Sequence, residues 1–295
     1  MIVTCGDGII DMMPEPVPGG SNVNVAVAAA RLGAPTAYLG RISTDTYGDM
    51  LMRHLEGSGV NTSLVERGHE PTAKAIVTVD PTPSFRFEAD GTAEANLSHA
   101  DLSPLGPGPH IVHGGTFGMY LGRTASVLAG LVETTSGLVS LDPNVRPTIV
   151  DDRDGWDHWH NRWLPNVSLY RCSDEDLSWI WPGRTSDSVA AELLHGGVET
   201  VVVTRGGDGC EVYTPAWSES RKGIPVDVVD TVGAGDTFTG AVLCGLHGRG
   251  ITTRAALRGS HRDDFVSVVD TALVAAAIVC GRKGADPPWM SELDG

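Results

Sequence analysis

The segment Asp230-Thr-Val-Gly-Ala-Gly-Asp-Thr-Phe-Thr-Gly-Ala-Val242 joins a small-residue loop to an apolar helical pattern. Gly233, Ala234 and Gly235 form the loop, and Asp236 lies where the helix is predicted to begin. Such a loop exposes unpaired backbone N–H groups at the positive end of a helix, which suits an anion. Asp236 fits a general base that takes a proton while the amides stabilise a transferring phosphoryl group. The alternative is that Asp236 is only a helix N-cap after a glycine turn.

The length and composition indicate a soluble globular protein. The 295 residues are enough for one large α/β domain or two ordinary ones, and the chain is 41% apolar and 20% charged. No apolar run reaches membrane-spanning length, and the start, Met-Ile-Val-Thr-Cys-Gly-Asp, lacks the form of a signal peptide. We therefore expect a cytoplasmic protein with no membrane partner.

Charge and cysteine content argue against two further classes. The formal net charge of −16 argues against a nucleic-acid surface but not against an anionic ligand, because local amides and arginines set the potential at a site. The cysteines contain no CxxC pair, so we expect them to be reduced core residues rather than disulfides or metal ligands: Cys5, Cys172, Cys210, Cys244 and Cys280.

Strand-like runs alternate with helical runs along the chain. Strands are predicted at 2–10, 36–40, 60–65, 110–113, 138–141, 167–171, 200–204 and 209–213. Helices are predicted at 22–32, 46–57 and 121–135, and from near 236 and 265 onward. This alternation predicts an α/β fold with a doubly wound, mostly parallel sheet flanked by helices, whose ligands lie at the carboxyl ends of the strands. Asp11, Asp142 and Thr204 fall at such ends.

Several motifs follow one another along the chain. Pro18-Gly-Gly-Ser-Asn-Val-Asn24 comes first, Thr204-Arg-Gly-Gly-Asp-Gly209 comes later, and Asp230–Val242 follows. Together they resemble the PfkB (ribokinase-like) family of ATP-dependent sugar kinases, in the family's order and over essentially the whole chain. Asp142-Pro-Asn-Val-Arg146 and Cys172-Ser-Asp-Glu-Asp-Leu177 look most like the fructokinase branch. The resemblance implies one ribokinase-like α/β domain over 1–295.

A short β-rich stretch interrupts the alternation. Thr72–Val79 and Ser84–Glu88 are β-prone and joined by Pro81-Thr-Pro83, which predicts a hairpin. In the family such a hairpin belongs to a small lid over the sugar, which the resemblance places at 70–95.

The family's lid normally contains a second hairpin, which here has little room. Only residues 12–18 separate Asp11 from Gly19, and three of them are proline. Seven residues at about 3.3 Å each are too few for two useful paired strands and a turn. We therefore expect a reduced lid, which leaves open the homodimer that relatives form through their lids.

The resemblance assigns sugar-binding positions to Asp11, Gly20 and Asn24. Carboxylates and amides fix sugar hydroxyls, and their orientation relative to the phosphate supplies much of the rate. A glycine lets a ligand approach the backbone closely. The alternatives are a turn residue at the end of a strand for Asp11 and a polar residue in the first turn of a helix for Asn24.

Two arginines are candidates for substrate contact. Arg86 alternates with two phenylalanines on the predicted lid, where it either reaches the substrate or lies on a solvated face. Arg146 follows a strand end, and its planar guanidinium suits a phosphate or a carboxylate. By resemblance Arg146 lies near the transferred phosphate, with Asn144 in support. The alternative for Arg146 is an ion pair with Asp142.

Two further loops resemble the family's nucleotide site. The resemblance implies that ATP contacts Ser173, Thr204, Gly206, Gly207, Gly209 and Gly235. Gly-Gly-Asp-Gly is also an ordinary turn signal, so a β-hairpin turn is the alternative for that loop. Asp176 replaces the glutamate with which relatives organise Mg²⁺ through water, and a shorter carboxylate can still hold hydrated Mg²⁺. Asp230 and Val232 match positions that hold a monovalent cation such as K⁺ in relatives.

These observations lead to one hypothesis and several rivals. The hypothesis is an ATP- and Mg²⁺-dependent kinase acting on a primary hydroxyl of fructose or a related small ketose. A 2-keto-3-deoxygluconate kinase or a nucleoside kinase of the same family is the nearest rival. A sugar- or nucleotide-binding protein without catalysis is a rival from another class. A Rossmann dehydrogenase lacks support, because the predicted first strand leads to Gly6-Asp-Gly8 and not to a G-x-G-x-x-G turn.

Overall fold

A computed structural model of the chain describes residues 1–13, 15–78, 84–150 and 152–293. The turn predicted at Pro81-Thr-Pro83 lies outside these ranges. None of the helices within them has the length and apolar character needed to cross a bilayer.

Strands and helices alternate over most of the described chain. The strands are β1 (Ile2–Cys5), β2 (Ile9–Met12), β3 (Val17–Gly19), β4 (Thr36–Ser43), β5 (Val65–Gly68), β6 (Lys74–Thr78), β7 (Ser84–Glu88), β8 (Ile111–Gly115), β9 (Leu138–Asp142), β10 (Leu169–Ser173), β11 (Thr200–Thr204), β12 (Cys210–Tyr213) and β13 (Ser218–Arg221). The α-helices are α1 (Ser21–Arg31), α2 (Thr46–Gly57), α3 (Thr116–Tyr120), α4 (Gly122–Thr134), α5 (Arg153–Trp163), α6 (Asp174–Ile180), α7 (Ser186–His195), α8 (Ala234–Gly248), α9 (Arg254–Arg258) and α10 (Arg262–Cys280).

Nine of the described strands form a central sheet, in the order β13-β12-β11-β10-β9-β8-β1-β4-β5. Within this order, every strand from β11 across to β5 is parallel to its neighbours, and β12 and β13 add an antiparallel edge beside β11. Neighbouring residues of β1 enter different cores: Ile2 packs in the cluster that contains Phe238 of α8, and Val3 in the one that contains Trp156 of α5. Because helices cover both faces, the predicted doubly wound, mostly parallel sheet is confirmed.

The direction of winding reverses at β1. From β1 the chain adds β4 and β5 on one side, and it later adds β8 to β11 on the other. A reversal of this kind opens a crevice at the carboxyl ends of the two central strands, which is where ligands bind in open α/β sheets. The residues that follow β1 and β8 therefore lie beside the expected site.

Two predicted strands differ from the observed ones. The strand predicted at 2–10 is two strands, because Gly6 has a φ of 130° and turns the chain out of the central sheet after β1. Asp11 therefore lies in β2 and not at the end of a central strand. The strand predicted at 60–65 is also wrong: a turn in which the Val65 N–H donates to the Thr62 carbonyl delays β5 to Val65–Gly68.

The remaining four described strands form a small sheet in the order β3-β2-β6-β7. The hairpin predicted at 72–88 is β6 paired with β7. The expectation that 12–18 cannot supply paired strands is wrong, since β2 and β3 pair antiparallel. The pairing succeeds because β2 begins at Ile9, before Asp11, and β3 extends to Gly19. This small sheet, which we call the lid, thus contains both hairpins.

Helices α1 and α8 pack closely side by side. A Cβ atom at Gly240 would lie 2.7 Å from the Cβ of Ala28, so only glycine allows this approach. Both helices begin at the crevice end of the sheet, α1 directly after the lid strand β3. Their close packing brings the first turns of α1 and α8 together.

Candidate active site

The first turn of α8 carries the predicted anion site. Gly233 adopts a left-handed φ of 77° and precedes the helix, which begins at Ala234. Within the described part of the chain, the amides of Gly233, Gly235 and Asp236 have no acceptor. Ala234, which we expected to donate as well, instead bonds to the carbonyl of Thr231 at 3.2 Å. The free donors are therefore Gly233, Gly235 and Asp236 itself.

Asp236 is buried and held by side chains of another helix. It lies inside the first turn of α8 and Gly233 takes the N-cap position, so the N-cap interpretation of Asp236 is wrong. Asn24 Nδ2 donates to Asp236 Oδ2 at 2.8 Å, and Ser21 Oγ donates to Oδ1 at 2.6 Å. The sequence singled out Asn24 and Asp236 but not Ser21.

Asp7 forms a second buried carboxylate beside the first turn of α1. Its oxygens accept from the backbone N–H of Ser21 at 3.1 Å and from Asn22 Nδ2 at 2.6 Å. Asp7 thus satisfies an amide that the helix itself leaves unpaired. Burial raises the pKa of Asp7 to about 6, and the charge of Asp236 adds to the rise.

Asp11 lies on the lid sheet and faces the same crevice. A Cβ atom at Gly19 would lie 2.6 Å from Asp11 Oδ2, so this glycine makes room for the carboxylate. Burial raises the pKa of Asp11 to about 6, Asp236 adds to the rise, and Arg146 opposes it. The Asp11 carboxylate has no hydrogen-bond partner among the residues that the structure describes, so it is free to accept from a ligand.

Gly20, which the sequence predicts as a sugar-binding position, also has a backbone conformation that favours glycine. Its φ is 101°, and a Cβ atom there would lie 2.7 Å from the carbonyl oxygen of Asp7. A side chain at Gly20 would therefore push the start of α1 away from the end of β1.

The Arg146 guanidinium lies near Asp11 and forms no ion pair with the residues that the structure describes. In the described ranges its guanidinium donates only to the carbonyls of Asn144 at 3.4 Å and Val145 at 3.1 Å. The alternative ion pair with Asp142 is wrong, because Asp142 Oδ2 accepts from Arg171 Nη1 at 2.6 Å. Arg146 remains available for an anionic ligand.

Arg171 is a buried cation that the sequence did not indicate. It bonds to Asp142 and donates to Thr204 Oγ1 at 2.5 Å. A Cβ atom at Gly235 would lie 2.9 Å from Arg171 Nη1, so the guanidinium lies directly against the start of α8. Arg171 therefore joins the ends of β9 and β11 beneath the anion site.

Ser173 and Asp176 form a capping box at the start of α6. Asp176 Oδ2 accepts from the N–H of Ser173 at 2.9 Å and from its hydroxyl at 2.7 Å. Asp176 Oδ1 accepts from the N–H of Val145 at 2.7 Å. Asp176 thus links α6 to the loop that presents Arg146.

The glycine loop after Thr204 is a β-hairpin turn between β11 and β12. Gly206 and Gly207 are exposed, and a side chain at Gly209 would collide with the backbone of β13. The loop is therefore the β-hairpin turn that was the alternative interpretation. The exposed backbone of Gly206 and Gly207 is accessible to a ligand such as a nucleotide. Asp230, in the loop before α8, contacts the C-terminal loop: its Oδ2 accepts from the N–H of Gly284 at 2.9 Å. Oδ1 of the same carboxylate accepts from the N–H of Val232 at 3.1 Å.

Arg86 is not brought to the crevice. Asp11 pairs with Ala75, and Ala75 pairs with Phe87, so these residues share one face of the lid. Arg86 lies on the opposite face, where it is exposed and bonds to Glu88 at 2.7 Å. The solvated-face alternative describes its position.

The crevice thus combines a buried carboxylate, a helix N-terminus with free amides, and polar groups from a lid. Residues 13–292 match the family model described as pfkB family carbohydrate kinase. The chain is 34% identical to a fructokinase of Rhizobium leguminosarum bv. trifolii, covering 83% of this chain and 79% of that protein. It is 30% identical to probable fructokinase-4 of Arabidopsis thaliana, covering 99% and 94%.

A solved structure shares the architecture. The fructokinase of Xylella fastidiosa with bound ATP superposes with a TM-score of 0.90 at 26% identity, covering 99% of this chain and 96% of that one. The fold and site define a ribokinase-like phosphotransferase. The chain belongs to the pfkB family of carbohydrate kinases and is fructokinase-like.

Proposed function

We propose that the protein phosphorylates a primary hydroxyl of fructose, or of a related small ketose, with ATP. The observation that carries the proposal is the buried Asp236 carboxylate beside the free amides of Gly233 and Gly235. A base and an anion site at one helix terminus are the two groups that phosphoryl transfer to an alcohol needs.

The reaction is a direct displacement at phosphorus. Asp236 takes the proton of the sugar hydroxyl as its oxygen forms a bond to the γ-phosphorus of ATP. The bond from that phosphorus to the bridging oxygen breaks, and ADP leaves with the electron pair. The amides of Gly233 and Gly235 stabilise the charge on the transferring group.

The sugar is held between the lid and α1. Asp11 accepts from sugar hydroxyls, Asn24 bonds to the sugar as well as to Asp236, and Gly20 allows close approach. Arg146 binds the transferring phosphate through its unpaired guanidinium. Arg86 has no part in this proposal, because it lies on the outer face of the lid.

ATP lies along the carboxyl ends of β10 and β11. The proposed contacts are Ser173, Thr204, Gly206, Gly207, Gly209 and Gly235. A fructokinase of 26% identity was solved with bound ATP, which supports ATP as the nucleotide.

Metal ions accompany the nucleotide in the proposal. No described cluster of three or more His, Cys, Asp or Glu residues could hold a metal ion by itself. Mg²⁺ bound by ATP phosphates needs only one or two protein carboxylates and keeps several waters. Asp176 accepts three hydrogen bonds from the protein, which leaves one acceptor position for a metal-bound water. Asp230 and Val232 form the proposed K⁺ site, which a K⁺ dependence of the rate would test.

The domain assignment is also a proposal. Residues 1–295 form one domain, with the lid at 70–95 and 12–18 inserted into it. A homodimer through the lids is compatible with both hairpins being present.

A coupled ADP-release assay tests the function. We expect ATP consumption with fructose to exceed that with ribose, 2-keto-3-deoxygluconate or adenosine. Asp236→Asn should lower kcat at least about 10³-fold and retain fructose and ATP binding, whereas Asp264→Asn, at an exposed position of α10, should match wild type. Full activity of Asp236→Asn would refute the base assignment.

The rival functions give different results in the same assay. Preference for 2-keto-3-deoxygluconate or adenosine would identify a different substrate in the family. The outward position of Arg86 removes one cation that a sugar acid would need. Binding of fructose without ADP release would indicate a protein that lacks catalysis.

A further inference from the structure

Two side chains from one turn of α1 donate hydrogen bonds to the Asp236 carboxylate. Ser21 and Asn24 are three residues apart, so they project from the same side of the helix. Their donors bond to different oxygens of Asp236, Ser21 to Oδ1 and Asn24 to Oδ2. Ser21, Asn24 and Asp236 are all at least nine-tenths buried. The bonds fix the plane of the carboxylate.

A carboxylate at this place requires such restraint. The N–H groups of Gly235 and Asp236 are free and attract any anion near the start of α8. If the Asp236 side chain turned to these amides, it would occupy the positions that the phosphoryl group needs. Asp7 and Asp11 add charge repulsion, since the charge of Asp236 contributes to the raised pKa of each. The hydrogen bonds from Ser21 and Asn24 oppose both the attraction by the amides and the repulsion by the carboxylates.

Of the two donors, Ser21 is the one whose hydroxyl serves Asp236 alone among the described residues. In the proposed function Asn24 also bonds to the sugar, so its amide serves two acceptors. Ser21 is anchored independently, because its backbone N–H donates to Asp7 Oδ2 at 3.1 Å. The Ser21 hydroxyl has no other described partner than Asp236.

We propose that Ser21 is a positioning residue, whose hydroxyl holds the Asp236 carboxylate toward the sugar and away from the amides of the anion site. This inference rests on the proposed function of Asp236 as the base. It assigns Ser21 an effect on the chemical step and none on the affinity for either substrate.

An isosteric pair of variants tests the inference. Ser21→Thr and Ser21→Val differ only in the hydroxyl, so any effect of the added volume is common to both. Because a hydrogen bond to a charged group is lost, kcat of Ser21→Val should fall about 10- to 100-fold below that of Ser21→Thr. The KM values for fructose and ATP should agree within about twofold between the two variants, as expected for a group that acts only on the reacting base.

A second pair separates this inference from the proposed function. Asp236→Ala and Asp236→Ala with Ser21→Val should have the same residual rate, because the partner of the hydroxyl is absent in both. If Asp236→Ala retains wild-type activity, the proposed base and the role of Ser21 are both refuted. If Asp236→Ala is inactive but the Thr and Val variants have equal kcat, or differ only in KM, the base stands and the role of Ser21 is refuted.

Discussion

Asp236 and Ser21 are 215 positions apart in the chain, yet their side chains are in direct contact. Asp236 could be singled out from the sequence because a glycine loop and a helical pattern surround it locally. Ser21 could not be singled out, because its contact with Asp236 depends on the packing of α1 against α8. Arg171 was missed for the same reason: its partners Asp142 and Thr204 come from two other strands.

The raised pKa of Asp11 predicts a pH effect on stability. The pKa rises from 3.8 in the unfolded chain to about 6 in the folded one, so the folded protein binds this proton more tightly. The contribution of this proton to the free energy of unfolding is fully present below pH 3.8 and is lost as the pH rises through about 6. Asp11→Asn should therefore gain about 1–2 kcal/mol over wild type between pH 4 and pH 7.5, after allowance for partial exposure.

Urea unfolding of both proteins at the two pH values measures this gain. A constant difference in unfolding free energy across the range would contradict the prediction for Asp11.

The buried ion pair of Arg171 predicts a large stability effect. Arg171→Met leaves Asp142 buried without its cation, which should lower the unfolding free energy by about 3–5 kcal/mol. Arg162→Met is the matched control, because it removes a half-exposed ion pair with Glu133 and should cost about 1 kcal/mol or less. Urea titrations compare the two variants, and equal losses would show that burial of the Arg171 pair is unimportant.

At the scale of elements, the contact between α1 and α8 sets the position of Asp236, the proposed base. Gly240→Val should force the helices apart, because even a Cβ atom would lie 2.7 Å from that of Ala28. We expect a loss of about 1–3 kcal/mol in stability and at least a tenfold fall in kcat. Gly248→Ala is the control, since a Cβ atom there meets no atom within 4 Å.

The steady-state rate and the urea midpoint of both glycine variants measure these effects. Wild-type kcat in Gly240→Val would show that the spacing of the helices does not govern the position of Asp236.

The lid contacts the body through its inner face. The rings of Phe87 and Phe117 lie 5.4 Å apart edge to face, whereas Arg86 next to Phe87 faces solvent. Phe87→Ala should raise the KM for fructose at least about fivefold, because the lid loses its apolar support. Arg86→Ala should leave KM within twofold. A larger effect of Arg86→Ala than of Phe87→Ala would reverse the assignment of the two lid faces.

The extent of the first strand shows where sequence patterns lose information. Ile2–Cys5 and Gly8–Ile10 are two short apolar runs separated only by Gly6 and Asp7, and together they predict a single buried strand. The break is made by one residue, Gly6, whose positive φ no periodicity reveals. Most other elements could be predicted because they follow the regular alternation of a doubly wound sheet, in which apolar runs are bounded by glycine or polar turns.

At the scale of the whole molecule, the two cores share one sheet. Alternate residues of β11 serve different cores, since Val202 packs on one face and Val201 and Val203 pack on the other. Neither core can unfold without exposing the other. We predict one cooperative urea transition, with coincident curves from tryptophan fluorescence and far-ultraviolet circular dichroism. Two separated transitions would contradict the assignment of 1–295 to a single domain.

The junction between the lid and α1 has a consequence for how such enzymes diverge. Strand β3 ends at Gly19 and α1 begins at Ser21, so Gly20 alone separates the lid from the turn of α1 that bonds to Asp236. No flexible linker isolates one from the other. A lid exchanged between relatives would therefore also shift the turn of α1 that bonds to Asp236, so a change in the lid and a change in the position of this carboxylate would arise together.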